Sequence, residues 1–312
     1  MFSHTNKPYL YLFIATLIWG ATIPIMKYAL DFFPVFVLAF IRFGAATLLL
    51  LPFVWKHLKI QKQHLPLFLL TGFLGIFIHI SLFFFGLKHT TALNTGVLIS
   101  TSPLFMMMAA SFFLKEKITK KMAIGGVIGF MGILVIMLKD LTSGLQFSPL
   151  GDIMIIASTL TLVSAEIINK KLFKFYSPLV VTFFMFLIGS LAFAPFALHF
   201  FITDMAQVTQ IPTSALLSVL YGIVFSSFLA YVLWQKGLSL VPASRAGFFV
   251  YMDPIITSTL AVFLLDERIT LPFIFGTVLI FLGIVYAYGH IPHPAHIYIK
   301  ERKKRKANPN LE

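Results

Sequence analysis

Apolar residues run through this chain in ten blocks, each about twenty residues long and closed by a short polar or turn-forming stretch. The blocks fall at residues 9–30, 34–55, 65–87, 91–114, 120–138, 151–172, 178–202, 213–236, 243–265 and 271–290. An α-helix needs about 20 apolar residues to cross a hydrocarbon core of ~30 Å. The pattern therefore predicts an all-α polytopic membrane protein with ten transmembrane helices. The breaks carry charges or turn residues, as at Asp31 to Pro34, Lys56 to His64, Lys115 to Lys121 and Phe175 to Pro178, and none has room for a folded soluble domain. The first block is too long for the apolar core of a signal peptide and contains Trp19, Pro24 and Lys27, so it reads as a retained helix.

The second half of the pattern repeats the first. With a single offset of 151 residues, Gly86 to Leu138 aligns without a gap on Gly237 to Gly289, and 16 of the 53 positions are identical. The matches fall where backbone geometry is decided: Pro103 and Pro254, Glu116 and Glu267, Thr119 and Thr270, Gly125 and Gly276, Gly132 and Gly283. A repeat of this length outranks any local motif in setting architecture. Each copy holds five helices, an odd number, so the second copy must enter the membrane upside-down relative to the first. The expected organisation is a short cytoplasmic N-terminus (1–8), a five-helix repeat (9–138), an outer linker (139–150), an inverted five-helix repeat (151–290) and a basic cytoplasmic tail (291–312). Inverted repeats are typical of secondary transporters, which place the substrate site near the bilayer midplane between the halves.

Composition agrees with the pattern. Of the 312 residues, 59% are hydrophobic and 11% charged, whereas charged residues run near a quarter in soluble domains. The net charge of +13 looks at first like a nucleic-acid signal, but its distribution explains it otherwise. With ten spans, one side of the membrane collects 19 of the 24 Lys and Arg residues, and the positive-inside rule makes that side the cytoplasm, with both termini on it. The tail KERKKRK suits anionic membrane lipid, and no nucleic-acid partner is expected. The absence of cysteine removes disulfides, thiol nucleophiles and thiolate metal sites. No GxxxxGK[ST] phosphate loop, HExxH or GxSxG motif occurs, so no metal, cofactor or catalytic group is expected, and transport must draw on an ion or substrate gradient.

Three features carry a family resemblance. They are LIWGATIPIMKYAL in the first block, Pro34 followed by AFIRF in the second, and the twice-used succession of Pro, Glu-x-Ile-Thr and Gly. Together they resemble the drug/metabolite transporter superfamily, in its ten-helix type with two EamA domains, over about Tyr9 to Gly289. The resemblance implies a basket in which helices 1, 3, 4, 6, 8 and 9 surround a central cavity, with export of small metabolites as the usual activity.

Intramembrane ionisable groups are costly and mark function by default. Asp253 is the leading candidate: it sits about ten residues into the ninth block, and Pro254 behind it removes a helical hydrogen bond. Its bland alternative is a buried ion pair with Arg245 or Arg42. Glu166 is the second carboxylate. Lys170, four residues on, stands in the favourable order for a helical ion pair, which is the structural reading of Glu166. His79, midway along the third block, suits proton handling. Arg42 either snorkels outward or acts as a structural or gating partner. Trp19, Asn94, Ser100, Ser102, Tyr231, Trp234 and Tyr251 complete the cavity candidates, with Ser102 and Asp253 as repeat-related neighbours of the two prolines. Gly125, Gly132, Gly276 and Gly283 are spaced to form a helix-packing seam between the halves, homodimerisation being the weaker alternative. Glu116, Glu267, Thr119 and Thr270 look like matched helix boundaries. The function expected is a secondary transporter that exports small organic metabolites such as amino acids, by alternating access with proton coupling. A membrane enzyme built on an intramembrane acid and a cavity-free receptor or scaffold are the alternatives.

Overall fold

The computed structural model describes residues 7–142, 149–203, 211–265 and 271–288, and among them every regular element is a helix. In chain order these are α1 (Lys7–Ala29), α2 (Val35–Val54), α3 (Lys62–His89), α4 (Ala92–Ile99), α5 (Ser102–Leu114), α6 (Lys120–Thr142), α7 (Pro149–Leu172), α8 (Pro178–Thr203), α9 (Thr213–Leu240), α10 (Ala243–Gly247), α11 (Asp253–Leu265) and α12 (Leu271–Tyr288). Six are long and apolar enough to cross a membrane: α1, α2 with its tighter extension to His57, α3, α7, α8 and α9. The outer surface is correspondingly apolar, with Ile202 83% and Met108 70% exposed, as a lipid-facing surface requires. Because α6 runs on to Thr142 and α7 begins at Pro149, the helices extend into the expected 139–150 linker from both sides. Glu267, Arg268, Thr270 and the basic tail lie outside the described residues.

The fourth and ninth apolar blocks are each broken. α4 stops at Ile99 and α5 restarts at Ser102; α10 stops at Gly247, a 3-10 stretch covers Phe248–Met252, and α11 restarts at Asp253. Both restarts fall one residue before a repeat proline, Pro103 or Pro254. Proline has no N–H and its ring clashes with the preceding turn, so it favours a helix start, although α1, α2 and α8 carry Pro24, Pro52 and Pro195 within their length. A second paired irregularity lies in α3 and α9, which contain π-helical segments at Phe73–Ile78 and Gly222–Ala230. These positions overlap when shifted by the repeat offset. A π turn inserts an extra residue and re-aims the side chains that follow it, here His79 and Tyr231.

Several helix pairs that join the two halves pack antiparallel, whereas α3 and α8 run parallel, Phe68 meeting Phe184 and Phe77 meeting Phe193. In the α2–α8 pair Phe36 meets Phe193 and Phe43 meets Phe186. In the α3–α7 pair Thr71 meets Asn169 and His79 meets Ser158. Along α1 and α9, Leu12 lies on Gly237 and Tyr28 hydrogen-bonds Ser214. The broken helices cross at their breaks: Gly96 faces Pro254, and Gly247 faces Pro103. The tightest contact is α6 on α12. A Cβ placed on Gly125 would lie 2.5 Å from the carbonyl oxygen of Gly283, and one on Gly132 2.6 Å from that of Gly276. These backbones touch because the four glycines lack side chains, as small residues permit between membrane helices.

Candidate functional site

A cavity of about 100 Å³ lies where the broken helices and the two π-turn helices converge. Its wall takes Trp19 and Thr22 from α1, His79 and Phe83 from α3, Ile99 from α4, Ser102 and Met106 from α5, Thr159, Val163 and Glu166 from α7, Ser226, Tyr231 and Trp234 from α9, Val250 from the 3-10 turn, Asp253 from α11 and Arg42 from α2. Most of that surface is apolar, with four ionisable groups set into it. Arg42 is the contribution not implied by the resemblance, which left the second helix outside the cavity wall.

Asp253 is the first residue of α11 and only 4% exposed. Its Oδ1 has no hydrogen-bond partner among the described residues. The segment behind it is anchored, because Thr257 Oγ1 donates to the Gly20 carbonyl (2.9 Å) and Gly20 leaves room for Ile256. A buried carboxylate oxygen without a donor is costly, and here it borders a void. Ser102, the repeat-related residue, lines the same void.

Glu166 is 1% exposed and fully engaged. Gln235 Nε2 donates to its two oxygens (3.0 and 3.1 Å), Asn169 Nδ2 donates to Oε2 (3.2 Å), and Thr71 Oγ1 donates in turn to Asn169 Oδ1 (2.6 Å). This corrects the expected ion pair with Lys170: the carboxylate turns inward to amides of α7 and α9. Gln235 Oε1 is left without a partner among the described residues. Thr71, Asn169 and Gln235 were missed in the sequence. Asn169, three residues after Glu166 on the same helix face, was the available signal.

His79 is 8% exposed, and its Nδ1 lies 2.9 Å from the Ser158 carbonyl. A carbonyl only accepts, so Nδ1 carries the proton and, in the neutral ring, Nε2 remains an acceptor. Arg42 is 2% exposed, which overturns the outward-snorkelling reading. One terminal nitrogen donates to Ser226 Oγ (3.0 Å) and Ser227 Oγ (3.1 Å), and the guanidinium lies 5.3 Å and 5.4 Å from the ring centres of Phe43 and Phe84. Its Nε has no partner among the described residues. Neither hydroxyl partner stood out in the sequence, since two serines inside an apolar block look like packing residues.

Three aromatics of the cavity form one cluster. Trp19 meets Tyr231 edge-on at 5.1 Å and Trp234 at 5.2 Å, while Trp19 Nε1 donates to the Ser226 carbonyl in the π turn (3.1 Å). Tyr251 is a correction: it does not line the cavity. It is fully buried, its hydroxyl donates to the Gly126 carbonyl (2.8 Å), and its ring fills the space left by Gly129. Ser100, just past the end of α4, donates its hydroxyl back to the Gly96 carbonyl of that helix. The side chain of Asn94 lies outside the described residues. Glu116 does more than end a helix: its oxygens accept the backbone N–H groups of Ala243 (2.8 Å) and Ser244 (3.0 Å) and the Ser244 hydroxyl (2.6 Å), capping α10 from across the repeat. Thr119 Oγ1 caps α6 by accepting the Met122 N–H (3.2 Å).

The chain matches the EamA-like transporter family over residues 6–138 and again over 149–289. It is 30% identical to the uncharacterized transporter YetK of Bacillus subtilis, over 97% of this chain and 90% of that protein. It is 26% identical to the uncharacterized transporter YyaM of the same organism, over 89% and 92%. A 29% match covers 81% of this chain and 83% of a protein of Rickettsia prowazekii named as an S-adenosylmethionine uptake transporter. One solved crystal structure shares the fold with a TM-score of 0.73 at 18% identity, covering 91% of this chain and 96% of that one. The chain belongs to the EamA-like transporter family, and it is a multi-pass membrane protein of a transporter class rather than an enzyme.

Proposed function

We propose that this EamA-family member is a secondary transporter of small organic metabolites, amino acids and related compounds among them, exporting them by alternating access through the cavity at Asp253. The observation that carries the reading is the Asp253 carboxylate, which is buried at a helix break, lacks a donor on Oδ1 and borders a void shared by both halves of the chain. A cationic group satisfies that oxygen, and the Trp19–Tyr231–Trp234 cluster offers π faces to the same charge. Arg42 stands on the opposite chemical account, as a partner for an anionic group. Asp253, with Glu166 and His79, handles the proton or the substrate charge.

The architecture in this reading is ten transmembrane helices in two inverted five-helix repeats, 9–138 and 151–290, with both termini cytoplasmic and the protein in the inner, or plasma, membrane. Repeat-related helices support it. The α2–α8 and α6–α12 contacts each join equivalent helices in antiparallel fashion, and the α1–α9 contact becomes the α7–α3 contact when shifted by one repeat. A void of about 100 Å³ is smaller than the ~300–1,000 Å³ of ordinary ligand pockets, so loading requires the halves to move apart on one side. Direction then follows the gradients imposed on the two faces, and the relative named for uptake makes S-adenosylmethionine a first compound to test.

Transport into proteoliposomes with an imposed pH gradient tests the reading, using an amino-acid panel and S-adenosylmethionine with wild-type protein and Asp253→Asn. At least one compound is expected to move in a gradient-dependent way. The variant keeps the volume but loses a charged hydrogen bond of ~1.5–3 kcal/mol, so apparent affinity should fall about ten- to a hundred-fold. Transport that ignores the gradient removes the coupling, and an unchanged KM in the variant removes Asp253 as the recognition group.

A further inference from the structure

Away from the central cavity, at the end of the bundle where α5, α7 and α9 finish, four lysines gather around an open recess of about 560 Å³. Lys115 comes from the end of α5, and Lys170, Lys171 and Lys174 from the end of α7. Like charges brought together from separate helices repel one another. The one carboxylate in the recess, Glu116, has both oxygens taken by the start of α10. The recess therefore presents more positive charge than it neutralises.

A second surface feature joins it. Phe113 and Lys115 also line an apolar groove of about 900 Å³ on the outer face between α5 and α6, floored by Leu104, Met107, Ala109 and Val127. At the junction Lys115 Nζ sits 5.7 Å from the ring centre of Phe112 and Lys171 Nζ 5.8 Å from that of Phe113. Both rings are exposed, so the ammonium groups stand on aromatic faces at the border between apolar and charged surface. Lys115 is placed there by the left-handed turn that ends α5, with φ of 57°. An apolar channel that opens into a ring of ammonium groups fits a ligand with a hydrocarbon tail and an anionic head, the arrangement by which basic pockets beside membrane helices bind acidic lipids.

We infer that this groove and recess form a binding site for one anionic phospholipid, its acyl chain lying between α5 and α6 and its phosphate held by Lys115, Lys170, Lys171 and Lys174. The site is distinct from the transport cavity, with which it shares no lining residue. Its position beside Glu116 puts the headgroup next to the contact that ties α5 to α10 across the repeat.

Native mass spectrometry of the full-length protein, equilibrated with phosphatidylglycerol and phosphatidylcholine, reads the site directly. Phosphatidylglycerol should be retained selectively, and each lysine changed to glutamine should lower its apparent affinity about five-fold. The control variant Lys56→Gln/Lys59→Gln/Lys62→Gln, which removes charge from the loop between α2 and α3, should leave retention unchanged. Equal retention of the two lipids, or an equal loss in the control, overturns the proposal. For a readout that needs no variant, phosphatidylglycerol with a photoactivatable acyl chain should label residues 104–127 of the wild-type protein. Labelling confined to other segments overturns it as well. Neither readout measures transport, so this site stands or falls separately from the function proposed above.

Discussion

At the scale of single residues, the two carboxylates of the cavity differ in what their neighbours leave undone. Glu166 is saturated by Gln235 and Asn169 and holds α7 to α9, whereas Asp253 Oδ1 has nothing to accept from among the described residues. That difference gives Glu166 a bracing role beside its place on the cavity wall and leaves Asp253 as the open group for a ligand. Glu166→Ala strands the amide donors of Gln235 and Asn169 in a buried site, and a buried donor without its acceptor costs about 1–3 kcal/mol. Glu166→Gln keeps an acceptor oxygen and should restore most of that loss. Thermal unfolding of the detergent-solubilised protein checks both, and equal melting of the two variants would show that the amide network holds nothing. The network was poorly legible in the sequence for a physical reason. Its partners Thr71, Asn169 and Gln235 lie on three helices, and each reads alone as a minor polar interruption of an apolar block. Lys170 was visible because its helical spacing is local, yet the inward turn of the carboxylate is decided by neighbours on other helices.

At the scale of elements, what the sequence encoded locally was readable and what it encoded between helices was less so. The breaks in the fourth and ninth blocks fall at Pro103 and Pro254, whose missing N–H suits the first turn of a helix, whereas Pro24, Pro52 and Pro195 stand inside continuous helices, so the repeat position and not proline alone marks the break. The π turns of α3 and α9 carry no such mark, and only the structure shows how they turn His79 and Tyr231 onto the cavity. Tyr251 was misplaced for a related reason. The 3-10 stretch Phe248–Met252 changes the angular step per residue, so a residue two before Asp253 faces α6 instead of the void. The glycine seam was legible because a seven-residue spacing puts Gly125 and Gly132 on one face, and the repeat supplies their partners. Its consequence can be measured. A side chain at Gly125 would meet the Gly283 carbonyl at 2.5 Å, and that neighbour is backbone, which cannot rotate away. Gly125→Leu should therefore force α6 from α12 and lower stability by at least the ~1–3 kcal/mol of ordinary overpacking. Unfolding in detergent would show this. Gly44→Leu is the control, since a Cβ there meets nothing within 4 Å. Similar losses in both variants would mean that close backbone approach is not what the glycine provides.

At the scale of the whole molecule, the question is whether the two halves lie in opposite senses in the bilayer. The antiparallel crossings of equivalent helices argue for it, because a parallel repetition would set α6 and α12 side by side in the same direction, with Gly125 nearest Gly276 and Gly132 nearest Gly283. The contacts are instead crosswise, Gly125 on Gly283 and Gly132 on Gly276. Charge argues the same way. Lys115 and the lysines of Lys170 to Lys174 lie around one recess, as the positive-inside rule requires of residues on a single cytoplasmic face. Under inversion the repeat mate of Lys117, Arg268, must face the opposite compartment, although the two occupy the same place in the repeated sequence. The chain has no cysteine, so single cysteines introduced at Lys115 and Arg268 can be labelled without any background. In intact cells, a membrane-impermeant maleimide should modify the cysteine at 268 and spare the one at 115, with both reacting once the membrane is opened. Modification of both from the same side would set the halves parallel. The fold would then have no exchange of equivalent shapes between its two faces, and alternating access through the cavity at Asp253 would lose its structural basis.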